Sequence, residues 1–127
     1  MKEYIFPKEP EDTDFQVFPE CIERDKSIFF HGTNVENFSY IRKSGFAIPE
    51  NSILKSISFA KSSALALRYA CSARVLKKNE GCIIVVRYKD LFIENIVEEV
   101  SMIHDYKLSP QPEIVGYCII PDNYRFI

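Results

Sequence analysis

The stretch Cys82–Tyr88, CIIVVRY, constrains the fold more than any other part of the chain. Its apolar residues stand at consecutive positions, so an extended segment here is apolar on both sides and belongs in the middle of a sheet. A second run, Glu113–Ile120 (EIVGYCII), also reads as a buried strand. Shorter strand candidates lie at 28–31, 56–60 and 95–100, with a last one at 124–127. A helical pattern occurs twice. Thr33-Asn34-Val35-Glu36 fits a capping box with Thr33 as the cap, Val35, Phe38 and Ile41 follow at helical spacing, and Gly45 is a natural stop. The second helix, rich in Ala and Leu, runs from a cap at Ser62 or Ser63 to about Leu76. The segments FAIPENSILK and HDYKLSPQP (His104–Pro112) read as loops. Two early helices followed by mostly strands imply an α+β fold.

At 127 residues the chain is one domain able to bury a core without staples. No apolar run approaches the roughly 20 residues that a bilayer span needs, and MKEYIFPKEPEDTDF lacks the apolar centre of a secretory signal. Cys21, Cys71, Cys82 and Cys118 are scattered, with no CxxC pair and no histidine at metal-ligand spacing. Free thiols in a reducing compartment are therefore expected, which places the protein in the cytoplasm. Residues 1–27 carry four basic and eight acidic side chains, against a net charge of −2 for the whole chain. This acidic leader, with Pro7, Pro10 and Pro19, reads as an extended arm or edge strand over residues 1–26, ahead of a single catalytic domain at 27–127. The body has no strong basic field, which argues against tight nonspecific nucleic-acid binding.

Three features fall at strand ends. His31-Gly32-Thr33 stands where a strand hands over to a helix, and Gly32 lets backbone groups approach a flat ligand, although a plain turn explains the same residues. In SISFAKSSALALRYA, Ser58 and Phe59 end a strand and Tyr69 lies two turns into the next helix. Tyr69 there can cover one face of a planar ring, or pack into the core with Leu65. In Gln111-Pro112-Glu113, a carboxylate opens an apolar strand, as suits either the rim of a cleft or a solvated edge. The polar loop before it, with Tyr106, is long enough to bind a partner.

In order and spacing, these features resemble the ADP-ribosyltransferases of the diphtheria-toxin and poly(ADP-ribose) polymerase type. The resemblance rests on His31-Gly32-Thr33, a helix closing at Gly45-Phe46, the strand Ser56-Ile57-Ser58-Phe59-Ala60, Tyr69 eleven residues after Ser58, and the late Glu113. It implies two small sheets around a central cleft that binds NAD as co-substrate, with no metal. Gly32 and Thr33 would hold the nicotinamide carboxamide, His31 the adenosine ribose, and Tyr69, with Ser58 and Phe59 nearby, the nicotinamide ring. Glu113 would bind the nicotinamide ribose and stabilise an oxocarbenium-like transition state.

Two departures bear on the acceptor. Ser58 stands where the toxin-like branch has a tyrosine, and Gln111 before Glu113 is similar to the Gln-x-Glu pair of the Arg-Ser-Glu branch, in which the glutamine contacts the acceptor. Gln111 and Tyr106 are thus candidate acceptor-binding residues. The small size of the chain favours transfer of a single ADP-ribose to a macromolecule, with a nucleobase of RNA or DNA slightly ahead of a protein side chain. Small members of this superfamily resemble toxins, which implies an antitoxin or inhibitor protein as a further partner. Arg68, Arg74, Lys77 and Lys78 either guide a nucleic-acid backbone or form a solvated helix face. The alternatives are an RNA 2′-phosphotransferase-like enzyme, an NAD glycohydrolase and an inactive module of the same fold that binds a partner.

Overall fold

A computed structural model describes residues 1–7, 16–51, 53, 55–77 and 79–124. Pro10, Lys78 and most of the strand expected at 124–127 lie outside them, as does the side chain of Lys77. The chain runs β1 (Lys2–Tyr4), α1 (Glu20–Glu23), β2 (Ile28–Asn34), α2 (Val35–Ser44), β3 (Ile57–Ala60), α3 (Ser63–Lys77), β4 (Gly81–Arg87), β5 (Ile96–Glu98), β6 (Met102–Asp105) and β7 (Glu113–Ile120). This is a mixed α+β architecture. No helix among the described residues is long and apolar enough to cross a membrane.

The strands form one sheet in the order β1-β7-β4-β2-β3-β6-β5, not the two small sheets expected. The two halves stay joined because β2 and β3 share a backbone pairing at Phe30 and Ala60. β4 is central and its alternation serves two cores. Ile83 and Val85 join Phe30, Ala66, Leu67 and Ala70 on the α3 side. Cys82, Ile84 and Val86 join Phe29, Phe38 and Phe59 on the other. Each face removes a set of large side chains from water, at about 25 cal/mol per Å² of apolar area. Cys71, Cys82 and Cys118 are buried and form no disulfide, and burial pushes the Cys118 thiol up to about 12.

α3 lies unusually close to the sheet because glycines face it. A Cβ built on Gly32 would stand 2.0 Å from the Ala66 carbonyl oxygen, and one on Gly81 would stand 2.7 Å from that of Ala70. The start of α3 is capped by Ser62, whose Oγ accepts from Leu65 N at 3.2 Å. The acidic leader is fastened beside it: Ser63 Oγ accepts from Val17 N at 3.1 Å and donates to the Glu23 carboxylate. Burial raises the Glu23 carboxyl above its ordinary range. Val17 and Phe18 enter the α3-side core, and β1 pairs in parallel with β7.

Two local expectations change. The cap of α2 is Asn34, whose Oδ1 accepts from Asn37 N at 2.9 Å, while Thr33 Oγ1 accepts from Asn37 Nδ2 at 3.1 Å. The segment expected to be loop from His104 onward begins as strand β6, paired to β3 on one side and β5 on the other.

Candidate active site

Beyond Phe30 and Ala60 the strands β2 and β3 stop pairing, although continued register would set Gly32 opposite Ser58. The ladder bond missing there is supplied by a side chain. His31 Nδ1 lies 2.9 Å from the Ser58 carbonyl oxygen and donates to it, which leaves Nε2 without the proton in the neutral ring. The parted strands and α3 enclose a cleft of about 560 Å³, within the size range of small-molecule sites. His31, Gly32, Ser58 and Tyr69 all line it, together with Met102 and His104 of β6. Tyr69 is 48% exposed on α3, so it edges the cleft and is not a core residue with Leu65.

Several other residues singled out in the sequence lie elsewhere. Phe59 is fully buried on the α2 side, among His31, Phe46 and Tyr88, and does not line the cleft. Thr33 is 5% exposed, with its hydroxyl turned to Asn37, and does not line the cleft. Gln111 does not line the cleft, and its amide is engaged by the chain itself. Its Oε1 accepts from Phe46 N at 2.9 Å and its Nε2 donates to Phe46 O at 2.8 Å, so the amide clasps the chain just after α2. Gly45, at φ 83°, adopts the left-handed conformation that lets the chain turn beneath that amide. Tyr106 is 45% exposed but does not line the cleft. Arg74 is buried and donates to the Pro121 and Tyr124 carbonyls, so it offers no cation to a nucleic-acid backbone.

Glu113 lies apart from the cleft. It opens β7 opposite Arg87, which pairs in turn with Ile28. That position is two strands over from β2 and three residues from His31 along it, a separation of roughly 14 Å by ordinary strand spacings. Glu113 is exposed and lines a separate hollow with Arg87, Lys89 and Pro112. Among the described residues that line the cleft, none is acidic.

His104 is the residue that sequence reasoning missed. It is paired with Ser58 across β3 and β6, and Ser58 Oγ lies 2.7 Å from its Nδ1. Its Nε2 lies 3.2 Å from Glu99 Oε2. The alternation of Ile103 and Asp105 marks the strand, but a buried aspartate does not read as a core position.

Burial holds the His31 imidazole below its ordinary value of 6.5, with the bond to the Ser58 carbonyl opposing the shift. The folded protein therefore keeps His31 neutral under conditions where the unfolded chain binds a proton. Stability from this group is complete above about pH 6.5 and is lost as the pH falls toward the lower folded value. The thermal midpoint should thus drop more steeply with acid in the wild type than in His31→Phe. Parallel pH curves for the two proteins would contradict a neutral His31.

A model of the family described as the poly(ADP-ribose) polymerase catalytic domain matches residues 4–103. No curated protein and no solved structure matches the chain. The match runs from the last residue of β1 to the beginning of β6, the span that carries every residue named above as lining the cleft except His104. By that match the chain belongs to the poly(ADP-ribose) polymerase catalytic domain family, within the NAD-dependent ADP-ribosyltransferases.

Proposed function

We propose that this protein binds NAD in the cleft between β2, β3 and α3 and transfers a single ADP-ribose from it to a macromolecular acceptor. The observation that carries this reading is the meeting of His31, Gly32, Ser58 and Tyr69 in one open cavity, in a chain of this family. The residues suit the molecule. Tyr69 offers a half-exposed aromatic face, His31 an imidazole with a free acceptor nitrogen, and the walls are largely apolar. NAD supplies the ADP-ribosyl group and a leaving group that departs neutral. The chain's part is to hold the pyridine ring against Tyr69, exclude water from the apolar wall and manage the acceptor's proton.

Glu113 has no part in this reading. Nicotinamide release by Glu113→Gln should stay within about twofold of wild type, as for an exposed surface group. Tyr69→Ala should weaken NAD binding about tenfold, the equivalent of a stacking contact of roughly 1.4 kcal/mol, with the melting temperature unchanged. Calorimetry reads the affinity. An unaltered affinity in Tyr69→Ala would remove the ring from the site, and an inactive Glu113→Gln would restore the carboxylate.

The acceptor class is read by incubating labelled NAD and the protein separately with RNA, single-stranded DNA, duplex DNA and a protein extract. Label in one fraction names the class, and free nicotinamide without labelled polymer names water. A second reading, a module that binds NAD without turning it over, is favoured by the lack of a carboxylate among the described residues of the cleft wall. NAD binding with no nicotinamide release in any arm would select it.

A further inference from the structure

We infer that His104 is the base of this site, taking the acceptor's proton through the Ser58 hydroxyl, and that Glu99 positions it. The inference rests on the reading of the cleft given above. It starts from a gap in the chemistry: with no acidic residue among the described residues of the cleft wall, another group must accept the proton that the acceptor gives up.

Ser58 and His104 both line the cleft and face each other across β3 and β6. Ser58 Oγ stands 2.7 Å from His104 Nδ1, and His104 Nε2 stands 3.2 Å from Glu99 Oε2. One neutral tautomer satisfies both contacts. With its proton on Nε2, the ring donates to Glu99 and presents a bare Nδ1 to the serine O–H. Hydroxyl, imidazole and carboxylate then follow one another from the cleft to the solvent. The His104 side chain is 16% exposed and that of Glu99 is 61% exposed, so the base is sheltered and its outer partner is wet.

The backbone holds this line on each side. Glu99 N donates to Met102 O at 2.8 Å, closing the turn between β5 and β6 that sets Glu99 beside His104. His31 donates to the Ser58 carbonyl while His104 engages the Ser58 hydroxyl, so two imidazoles fix one serine from opposite strands.

With water as acceptor the step balances as follows. Ser58 Oγ takes a proton from the attacking water while its own proton passes to His104 Nδ1, giving an imidazolium paired with Glu99. The water oxygen bonds to the sugar carbon, and the bond from that carbon to nicotinamide breaks, its electron pair leaving with the neutral amide. Once the product leaves, the imidazolium gives its Nδ1 proton back through the Ser58 hydroxyl to water in the cleft, which restores the starting tautomer, while Glu99 holds the Nε2 proton in place throughout.

The tests use the full chain, NAD and water. Nitrogen-15 NMR of the free protein should find His104 protonated on Nε2 only, and a ring protonated on Nδ1 would overturn the inference without any assay of turnover. His104→Ala should lower nicotinamide release by about 100-fold or more, with NAD affinity by calorimetry held within about twofold and activity partly restored by free imidazole. Ser58→Ala leaves the imidazole in place and should show a comparable loss, which covers the case of a His104→Ala chain that fails to fold. Glu99→Gln should lower kcat while leaving KM for NAD unchanged, a split that a merely structural pair would not produce. If the wild type binds and cleaves NAD but His104→Ala or Ser58→Ala turns over at the wild-type rate, the inference fails alone. A wild type that binds NAD and releases no nicotinamide with water or any macromolecular acceptor overturns this inference and leaves, of the reading above, NAD binding alone. A wild type that does not bind NAD overturns the reading of the cleft and this inference with it.

Discussion

Gly32→Ala is expected to unfold the protein or to leave it barely folded. The added Cβ would stand 2.0 Å from the Ala66 carbonyl oxygen, 2.7 Å from Ala70 N and 3.0 Å from Ala66 C. All three are backbone atoms of one helix, so no side chain can swing aside. Relief requires α3 to lift from β2, and with it Ala66, Leu67 and Ala70, each at 0% exposure. Overpacking a tight core costs about 1–3 kcal/mol where side chains can adjust, and more where they cannot. A loss of about 4 kcal/mol or more is expected, against a total of about 5–15 kcal/mol for a domain of this kind. Urea unfolding of the two proteins checks it. Gly81→Ala, with its nearest clash 2.7 Å from the Ala70 carbonyl oxygen, should be damaged less. A Gly32→Ala midpoint equal to that of the wild type would mean that α3 does not sit as described.

This steric demand also shows what a sequence can and cannot say about a motif. His31-Gly32-Thr33 stood out because a glycine at a strand end lets a ligand approach the backbone. Gly32 does line the cleft, yet the space its missing side chain leaves is filled by α3. β4 and β7 were legible because consecutive apolar residues admit one place in a sheet, and α2 and α3 because spacing and caps agree. The cap of α2 moved one residue, from Thr33 to Asn34, since both types can accept from a backbone N–H and asparagine is the better cap. Tertiary partners were not legible. Gln111 reads as a recognition group until Phe46, sixty-five residues away, occupies both ends of its amide. Glu113 matched a family pattern by order along the chain, but order does not fix which sheet edge a strand takes. β7 sits beyond β4, while the strand next to β3 is β6. That strand was hidden because His104 and Asp105 look like loop residues, and Asp105 is completely buried.

Asp105→Ala carries the other large effect, and it acts through donors. The buried carboxylate accepts from Tyr88 Oη at 2.9 Å, Asn95 Nδ2 at 2.8 Å, Lys107 N at 3.1 Å and Leu108 N at 2.8 Å. Alanine leaves all four without that acceptor. Tyr88 and Leu108 are buried, so their O–H and N–H groups have no easy access to water. An unsatisfied buried donor costs about 1–3 kcal/mol, so a total loss of roughly 3–5 kcal/mol is expected in urea unfolding. Asp105→Asn should cost less, because its one remaining carbonyl oxygen still accepts and the Tyr88 hydroxyl can turn to accept from the new amide. The damage should also reach the cleft. Asp105 is adjacent to His104 and anchors the chain at Lys107 and Leu108, which leads to the Gln111 clasp on Phe46, and the Phe46 ring lies 5.4 Å from that of His31. In the Asp105→Asn protein, amide exchange should therefore quicken at Lys107, Leu108 and Phe46 before it quickens in β4. Exchange that quickens uniformly over the whole sheet would mean that Asp105 supports the fold at large and has no special hold on the β6 side of the site.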